Sequence, residues 1–220
     1  MFDFNFLLRI IPVMLKYVKV TIALSLYSLF FGLILAIIIA LIINAKTPIL
    51  YPIAKVYVSF FRGTPLVAQL FFLYFGLIQL FPALKGLDGF TATVFGLRLN
   101  SAAYCSETLR GAIFSVDKGQ MEAALAFGMT YIQAMRRIIL PQAARVAIPA
   151  LTSNFSDIVK GSSLAFTLGV TEIMASAQSE AASSYKFLEA YTGVVIVYWI
   201  IISCLGFIQK KLETTLNKAY

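Results

Sequence analysis

Residues 20–43 read VTIALSLYSLFFGLILAIIIALII and contain no charged side chain. A helix needs about 20 consecutive apolar residues to cross the hydrocarbon core of a bilayer, and this stretch is long enough. It is also too long to be the apolar core of a cleaved signal peptide. We therefore expect it to remain in the protein as a transmembrane helix.

The same pattern recurs along the chain and predicts an all-α, polytopic membrane protein. No charged residue occurs between Arg62 and Lys85, or between Glu189 and Lys210. Two further apolar stretches are interrupted by a few polar side chains but are long enough to span. The five predicted transmembrane helices cover residues 20–43, 53–81, 90–113, 146–171 and 191–208.

These spans define the predicted domain organisation. Residues 1–19 mix basic and apolar side chains, and we interpret them as an N-terminal amphipathic segment at the membrane surface. The transmembrane domain covers residues 20–214 and contains a loop at 115–145. A short C-terminal tail covers residues 215–220.

Composition excludes several classes of protein. Hydrophobic residues make up 60% of the chain and charged residues only 13%, whereas soluble domains are roughly 25% charged. The chain has no histidine, which rules out histidine-dependent metal sites and catalytic triads, and we predict neither a metal site nor a catalytic residue. Cys105 and Cys204 lie in apolar segments without metal-ligand spacing and are interpreted as packing residues.

The net charge of +8 reflects membrane orientation rather than nucleic-acid binding. Basic residues flank the spans instead of forming one compact patch. Of the 18 Lys and Arg residues, 11 lie on the side that contains 44–62, 110–145 and 209–220. Because the cytoplasmic side carries the excess of basic residues, we expect the loop and the C-terminus to be cytoplasmic. Lys16 and Lys19 favour the opposite orientation of the N-terminus.

The third span carries an ordered polar stripe. Asn100, Tyr104, Glu107 and Gly111 follow the i, i+4, i+7, i+11 spacing of one helical face. Such stripes face a bundle interior or a water-filled path rather than lipid. Glu107 has two interpretations, a local ion pair with Arg110 or a contact with a substrate.

The loop at residues 115–145 is longer than a simple connection needs to be. Its segment QMEAALAFG (120–128) is rich in helix formers and stops at Gly128, a residue typical of helix ends. A second helix, YIQAMRRIIL (131–140), is expected to stop at Pro141. Two short helices joined at a glycine predict a compact protrusion from the membrane.

Here the chain resembles a known family. The residues that carry the resemblance are Glu122, Ala123, Ala124, Gly128, Ile138, Leu140 and Pro141. They match, at the right spacing, the EAA motif of ATP-binding-cassette (ABC) importer permeases. The segments FFRGTPLVAQLFFLYFG (60–76), AAYCSETLRGAIFSVDKGQ (102–120), LPQAAR (140–145) and KGSSL (160–164) resemble the polar amino-acid branch of that family.

The resemblance implies that residues 120–129 are a coupling helix, whose Glu122, Ala123, Ala124 and Gly128 contact a separate ATPase subunit. The chain has no GxxxxGK[ST] phosphate loop, so ATP and magnesium would be bound by that partner and this chain would not be an enzyme. Also implied are a second permease copy or a homologue, an extracytoplasmic solute-binding protein, and a bacterial inner-membrane location.

Residues 153–157 bear on the substrate. In the family pattern PxxxNxFxxxxK, Ser153 replaces the usual Asn, and Asp157 stands where a small neutral residue is usual. An acid inside the path predicts a cationic amino acid such as arginine, lysine or histidine, to which Asn154 would add hydrogen bonds. The alternative is that Asp157 only pairs with Lys160.

The segment GSSLAF (161–166) is interpreted as a helix break, with Gly161 left-handed and Ser162 or Ser163 capping a following half-helix. Free N–H groups at that end would bind the substrate carboxylate, although a Gly-Ser pair also suits a tight helix contact. Gln69 is a further candidate, with interhelical hydrogen bonding as its alternative role. The predicted substrate-binding residues are Asp157, Asn154, Ser153, Glu107, Tyr104, Asn100, Gln69 and Ser163.

Three other functions remain open from the sequence. The importer could carry glutamine or another polar amino acid instead of a cationic one. An ion-driven secondary transporter often shows inverted repeats, and we find no convincing repeat here. The spans of a passive channel or scaffold would not need a polar stripe and a broken helix that face inward.

Overall fold

The structure is a computed structural model that describes residues 2–217, with side chains as far as Thr215. Residues 218–220 of the predicted C-terminal tail lie outside the described residues. Within the described range the chain is helical and contains no strand. The nine helices are α1 Phe4–Leu15, α2 Val18–Ala45, α3 Leu50–Gly63, α4 Leu66–Leu80, α5 Gly89–Phe114, α6 Lys118–Ala126, α7 Tyr131–Leu168, α8 Ile173–Ser184 and α9 Phe187–Asn217.

The helices are compatible with five crossings. In the described part of the chain, α2 and α9 are each long and apolar enough to span a membrane. The pairs α3–α4 and α7–α8 qualify when each bent pair is taken as one span. Helix α5 has 26 residues, which corresponds to about 39 Å of helix, and it coincides with the third predicted span. Its polar stripe keeps it below the apolarity of the other spans.

Helices α2 and α5 pack closely along each other. A Cβ atom at Gly32 would lie 2.4 Å from Ser101 Oγ and 3.1 Å from the backbone oxygen of Arg98. Ala36 and Ala102 are fully buried at the same contact. Small residues let helix backbones approach in this way, which is how membrane helices gain van der Waals contact without a hydrophobic drive.

Helix α1 is the predicted N-terminal amphipathic helix, and its buried face packs on protein. Phe6, Ile10 and Met14 lie in one cluster with residues of α8 and α9. At its start, the Asp3 carboxylate caps the helix and pairs with Lys186, which precedes α9. The segment is therefore anchored to the far end of the chain.

The loop at residues 115–145 forms a helix pair, but its second helix does not stop at Pro141. Helix α6 ends as predicted near Gly128, whose φ is +83°, and α7 begins after a capping box between Thr130 and Gln133. Residues Met135–Ile139 form a π-helical turn. This wider turn accommodates Pro141, which lies in the first turn of the following α-helical segment, where its missing N–H costs little. The predicted stop is wrong because the helix continues into the membrane domain.

The predicted break at Gly161 is also wrong. Gly161 has helical torsion angles, and α7 continues as a 3₁₀ turn over Ser162–Leu168. A Cβ at Gly161 would lie 3.1 Å from a methyl carbon of Leu66 and 3.3 Å from one of Leu97, so glycine serves close packing there. The left-handed residue is Gly169, with φ of +80°, and α7 and α8 meet there at 49°.

Candidate functional site

A cavity of about 270 Å³ lies between the α3–α4 bend, α5 and α7. Four of the predicted substrate-binding residues line it, namely Asn100, Tyr104, Asn154 and Asp157. Asn100 and Tyr104 lie one turn apart on α5, and Asn154 and Asp157 lie three residues apart on α7. The helical spacing of each pair therefore brings both its members to the same wall.

The bend between α3 and α4 is 111°, and we call residues 61–69 the elbow. In an α-helix the Phe61 carbonyl would accept a hydrogen bond from the N–H of residue 65, but that residue is Pro65 and has no N–H. Two side-chain amides take over this role. Gln69 Nε2 donates to Phe61 O at 3.0 Å, and Asn100 Nδ2 donates to the same oxygen at 3.1 Å.

Further hydrogen bonds join these two amides. Gln69 Nε2 also donates to Thr64 O at 3.1 Å and to Thr64 Oγ1 at 2.8 Å. Asn100 Nδ2 donates to Gln69 Oε1 at 2.9 Å. Asn100, which lines the cavity, therefore connects the elbow to α5. Gln69 makes interhelical hydrogen bonds, which were the alternative interpretation of this residue.

Asp157 lies at an open part of the cavity wall. Its carboxylate oxygen is 2.7 Å from Lys160 Nζ, and 70% of its side chain is exposed. Exposed ion pairs at this spacing contribute little to stability, about 0–1 kcal/mol. The pair with Lys160 forms, and the Asp157 carboxylate remains accessible.

Asn154 connects α7 to α5. Its Nδ2 donates to Thr108 Oγ1 at 2.9 Å and contacts Cys105 Sγ at 3.5 Å. Both amide hydrogens are thereby directed to the protein. Its remaining hydrogen-bonding atom is the carbonyl oxygen Oδ1.

Glu107 does not line the cavity and is held by two arginines. Arg110 donates to its two carboxylate oxygens at 3.1 Å and 2.7 Å. Arg62 Nη1 lies 3.6 Å from Glu107 Oε2, and its guanidinium lies 5.5 Å from the centre of the Tyr104 ring. The ion pair with Arg110, which was one of the two interpretations of Glu107, is therefore present. It lies beside the cavity, because Arg62 is close both to Glu107 and to the ring of Tyr104, which lines the cavity.

Ser153, Gln69 and Ser163 also lie off the cavity wall. Ser153 Oγ donates to Gln209 Oε1 on α9 at 3.3 Å. Ser163 Oγ donates to Lys160 O at 2.7 Å within its own turn. Each of these side chains is engaged in helix packing or in a local hydrogen bond.

Sequence reasoning missed five residues that line the cavity, namely Thr64, Leu66, Leu97, Ser101 and Ile158. Thr64 and Leu66 lie on either side of Pro65. Beside the cavity, it also missed Arg62, whose guanidinium lies over the Tyr104 ring. A proline favours a bend because it lacks an N–H, but the 111° angle that turns Thr64 and Leu66 towards α5 has no sequence signal of its own.

The α6–α7 protrusion exposes large apolar side chains. Phe127 is 91% exposed and Ile132 76% exposed, while Ala124 is buried. Glu122, Ala123 and Gly128 are also exposed. A group of exposed aromatic and aliphatic side chains on a polar protrusion is typical of a protein interface. We call Glu122, Phe127, Gly128 and Ile132 the protrusion surface.

Residues 28–218 match the family model described as the binding-protein-dependent transport system inner membrane component. The chain belongs to this family. It is therefore a membrane permease subunit of the ABC importer type, whose partners include a binding protein and an ATPase. The chain is a transport subunit rather than an enzyme.

Known proteins resemble the chain over nearly its whole length. A probable amino-acid ABC transporter permease protein of Vibrio harveyi, PatM, is 52% identical over 219 residues, which is 100% of this chain and 98% of PatM. The crystal structure of an amino acid ABC transporter with histidines matches with a TM-score of 0.91 and 30% identity. That match covers 98% of this chain and 99% of the other.

Relatives of similar identity are named for different substrates. The arginine transport system permease ArtQ of Bacillus subtilis is 38% identical, covering 98% of this chain and 97% of ArtQ. The glutamine transport system permease GlnP of Escherichia coli K12 is 34% identical, covering 96% of each chain. Because these names differ, substrate preference has to be inferred from the cavity of this chain.

Proposed function

We propose that this chain is the transmembrane subunit of an ATP-driven importer of polar amino acids, with a preference for cationic ones: arginine, lysine or histidine. The observation that carries the preference is the set of polar groups at the cavity. Asp157 contributes an accessible carboxylate. The amide hydrogens of Asn100 and Asn154 are donated to the protein, so both residues can only accept hydrogen bonds from a ligand.

The acceptors of Asp157, Asn100 and Asn154 favour a ligand rich in donors. A guanidinium carries five N–H donors and an ammonium three, and neither can accept. Asp157 would attract the cationic side chain, and the oxygens of Asn100 and Asn154 would receive its hydrogens. Ser163 has no part in this pose, because the half-helix end expected beside it lies instead beyond Gly169.

The test is uptake of arginine and of glutamine into vesicles that hold this chain with its ATPase and binding protein. We expect arginine uptake to dominate and Asp157→Asn to weaken arginine affinity about tenfold, which corresponds to about 1.4 kcal/mol. Glu180→Gln, an acid on α8 away from the cavity, is the matched control and should behave as wild type.

Two results would contradict the cationic preference. One is equal uptake of glutamine with an unchanged Asp157→Asn variant, which would assign selectivity to the binding protein. The other is an equal loss for Glu180→Gln, which would show that the charge change acts on the whole protein rather than at the cavity.

We further propose that the protrusion is cytoplasmic and docks on the ATPase. Exposed Phe127 and Ile132 would enter an apolar cleft, Glu122 would pair with a cation of the partner, and Gly128 holds the turn at φ of +83°. ATP binding would bring two ATPases together and move both protrusions of a permease dimer, and hydrolysis would reset them. This orientation also places the C-terminus in the cytoplasm.

Charge reversal and turn disruption test the docking. We expect Glu122→Arg and Gly128→Pro to uncouple ATP hydrolysis from uptake, because proline cannot adopt a positive φ and arginine would repel a partner cation. Lys118→Ala, at the opposite end of α6, is the control. Normal transport by both variants would contradict this role of the protrusion.

A further inference from the structure

We infer that Gln69 determines substrate selectivity without touching the substrate, by fixing the amide of Asn100 so that only its carbonyl oxygen is available to the cavity. This inference rests on the proposed function, since it concerns the same cavity. Gln69 is a positioning residue, and the backbone carbonyls of Phe61 and Thr64 orient its amide.

The orientation of the Gln69 amide follows from its neighbours. Backbone carbonyls can only accept hydrogen bonds. One end of the Gln69 amide lies 3.0 Å from Phe61 O and 3.1 Å from Thr64 O. That end must therefore be the NH₂ group, and the opposite end, Oε1, must be the acceptor that faces Asn100.

The orientation of Asn100 follows in turn. The end of its amide that lies 2.9 Å from Gln69 Oε1 also lies 3.1 Å from Phe61 O. Both neighbours accept, so this end is the NH₂ group and both of its hydrogens are used. Asn100 lines the cavity, and Oδ1 is the only atom of its amide that remains for a ligand.

Gln69 itself is out of reach of a ligand in this cavity. It is 7% exposed and borders a different space, of about 290 Å³, walled mainly by Phe and Leu side chains. Any effect of Gln69 on ligand recognition must therefore pass through Asn100 and the elbow.

An acceptor-only Asn100 distinguishes two ligands of nearly equal shape. Arginine presents donors on every nitrogen of its guanidinium, whereas citrulline has a carbonyl oxygen in place of one NH₂ group. A carbonyl oxygen that meets Asn100 Oδ1 leaves two acceptors facing each other without a hydrogen, and desolvated polar groups left unpaired in this way are costly. Gln69 thus contributes to the rejection of citrulline.

The experiment measures direct binding of arginine and of citrulline to the purified permease–ATPase complex without the binding protein, so that the binding protein adds no selectivity. In Gln69→Met, Asn100 loses its acceptor and regains a free N–H. We expect the arginine-to-citrulline affinity ratio to fall about tenfold, mainly through tighter citrulline binding. Gln79→Met is the matched control, because Gln79 is exposed and bonds only within its own helix.

Gln69→Glu separates selectivity from stability. It keeps an oxygen towards Asn100 but has no NH₂ group, so Phe61 O and Thr64 O both lose their donor at residue 69. We expect lower thermal stability together with a ratio close to that of wild type. If Gln69 had only a structural role, the arginine-to-citrulline affinity ratio would fall together with thermal stability in both variants.

Three results would overturn the inference: an unchanged ratio in a folded Gln69→Met complex, a ratio in Gln69→Glu that falls as far as in Gln69→Met, or an equal fall in Gln79→Met. A wild-type complex that binds neither ligand would instead contradict the proposed cationic substrate, so the two failures are distinguishable.

Discussion

The two bends of the helical framework are held by different means. The elbow between α3 and α4 turns by 111°, and the bend between α7 and α8 by 49°. At the elbow, Pro65 removes a backbone donor, and side-chain amides from α4 and α5 replace it. At the second bend, Gly169 supplies the left-handed turn, and the Glu172 carboxylate caps α8 through the Ala175 N–H at 2.8 Å.

This difference indicates where each bend is coupled to the rest of the molecule. The elbow depends on Asn100, which lines the cavity, so under the proposed function elbow geometry and ligand recognition would share one hydrogen-bond network. The second bend contributes no residue to the lining of the cavity. Its long-range contacts include the Tyr198 hydroxyl on α9, which donates to the buried Glu172 at 3.0 Å, and the close approach of Gly89 on α5 to the backbone oxygen of Leu168. We therefore expect changes at the elbow to alter ligand recognition and changes at the second bend to alter stability.

The largest expected effect is on the second bend, through Gly89→Ala. A Cβ at Gly89 would lie 2.2 Å from the backbone oxygen of Leu168, and backbone cannot rotate away. Overpacking typically costs about 1–3 kcal/mol. We expect the free energy of unfolding to fall by an amount near the upper end of this range, as measured by thermal unfolding in detergent. Gly111→Ala on the same helix has nothing within 4 Å and should not destabilise. Equal stability of the two variants would show that the α5 end does not support the bend.

An intermediate effect is expected from Tyr198→Phe. The change leaves one oxygen of fully buried Glu172 without its donor, which costs about 1–3 kcal/mol. Tyr191→Phe, on the same helix, is the control. We expect the unfolding temperature to fall for Tyr198→Phe and not for Tyr191→Phe. The arginine-to-citrulline affinity ratio of Tyr198→Phe should be unchanged. A changed ratio would mean that the second bend also acts on the cavity.

The smallest expected effect is that of Pro65→Ala on the elbow. Alanine restores an N–H at residue 65, but Phe61 O already receives hydrogen bonds from Gln69 and Asn100. The bend should therefore persist, with a stability change of about 1 kcal/mol or less. Spin-label distances between positions 55 and 79 would report the angle between α3 and α4. A straightened helix would show that proline, rather than the amides, holds the elbow.

The spans and the protrusion follow from local sequence signals. Uncharged runs predicted α2 and α9, and the glycine after a helix-forming run predicted the end of α6 at Gly128. The break predicted at Gly161 was wrong because a glycine can serve either a left-handed turn or close packing. Only the positions of Leu66 and Leu97, far away in sequence, show that packing is its purpose here. The helix end predicted at Pro141 was wrong because the preceding π-helical turn has no clear signature in the sequence.

The cavity could be predicted only in part, because local spacing identifies residues on one helix but not contacts between distant segments. Spacing on one helix face placed Asn100 with Tyr104, and Asn154 was predicted only to add hydrogen bonds to a substrate held at Asp157. The orientation of the Asn100 amide depends on Phe61 O, which is 39 residues away, and on a bend whose angle the sequence does not encode locally. Long-range hydrogen bonds of this kind determine what a polar residue offers to a ligand.

The most direct test of the central claim is arginine uptake into proteoliposomes that contain this chain, its ATPase and its binding protein. Uptake would be compared with ATP supplied to the ATPase side and with an ion gradient alone. Our account predicts uptake that requires ATP and is lost in Glu122→Arg while ATP hydrolysis continues. Uptake driven by the ion gradient without ATP, or passive flux that is indifferent to both, would contradict it.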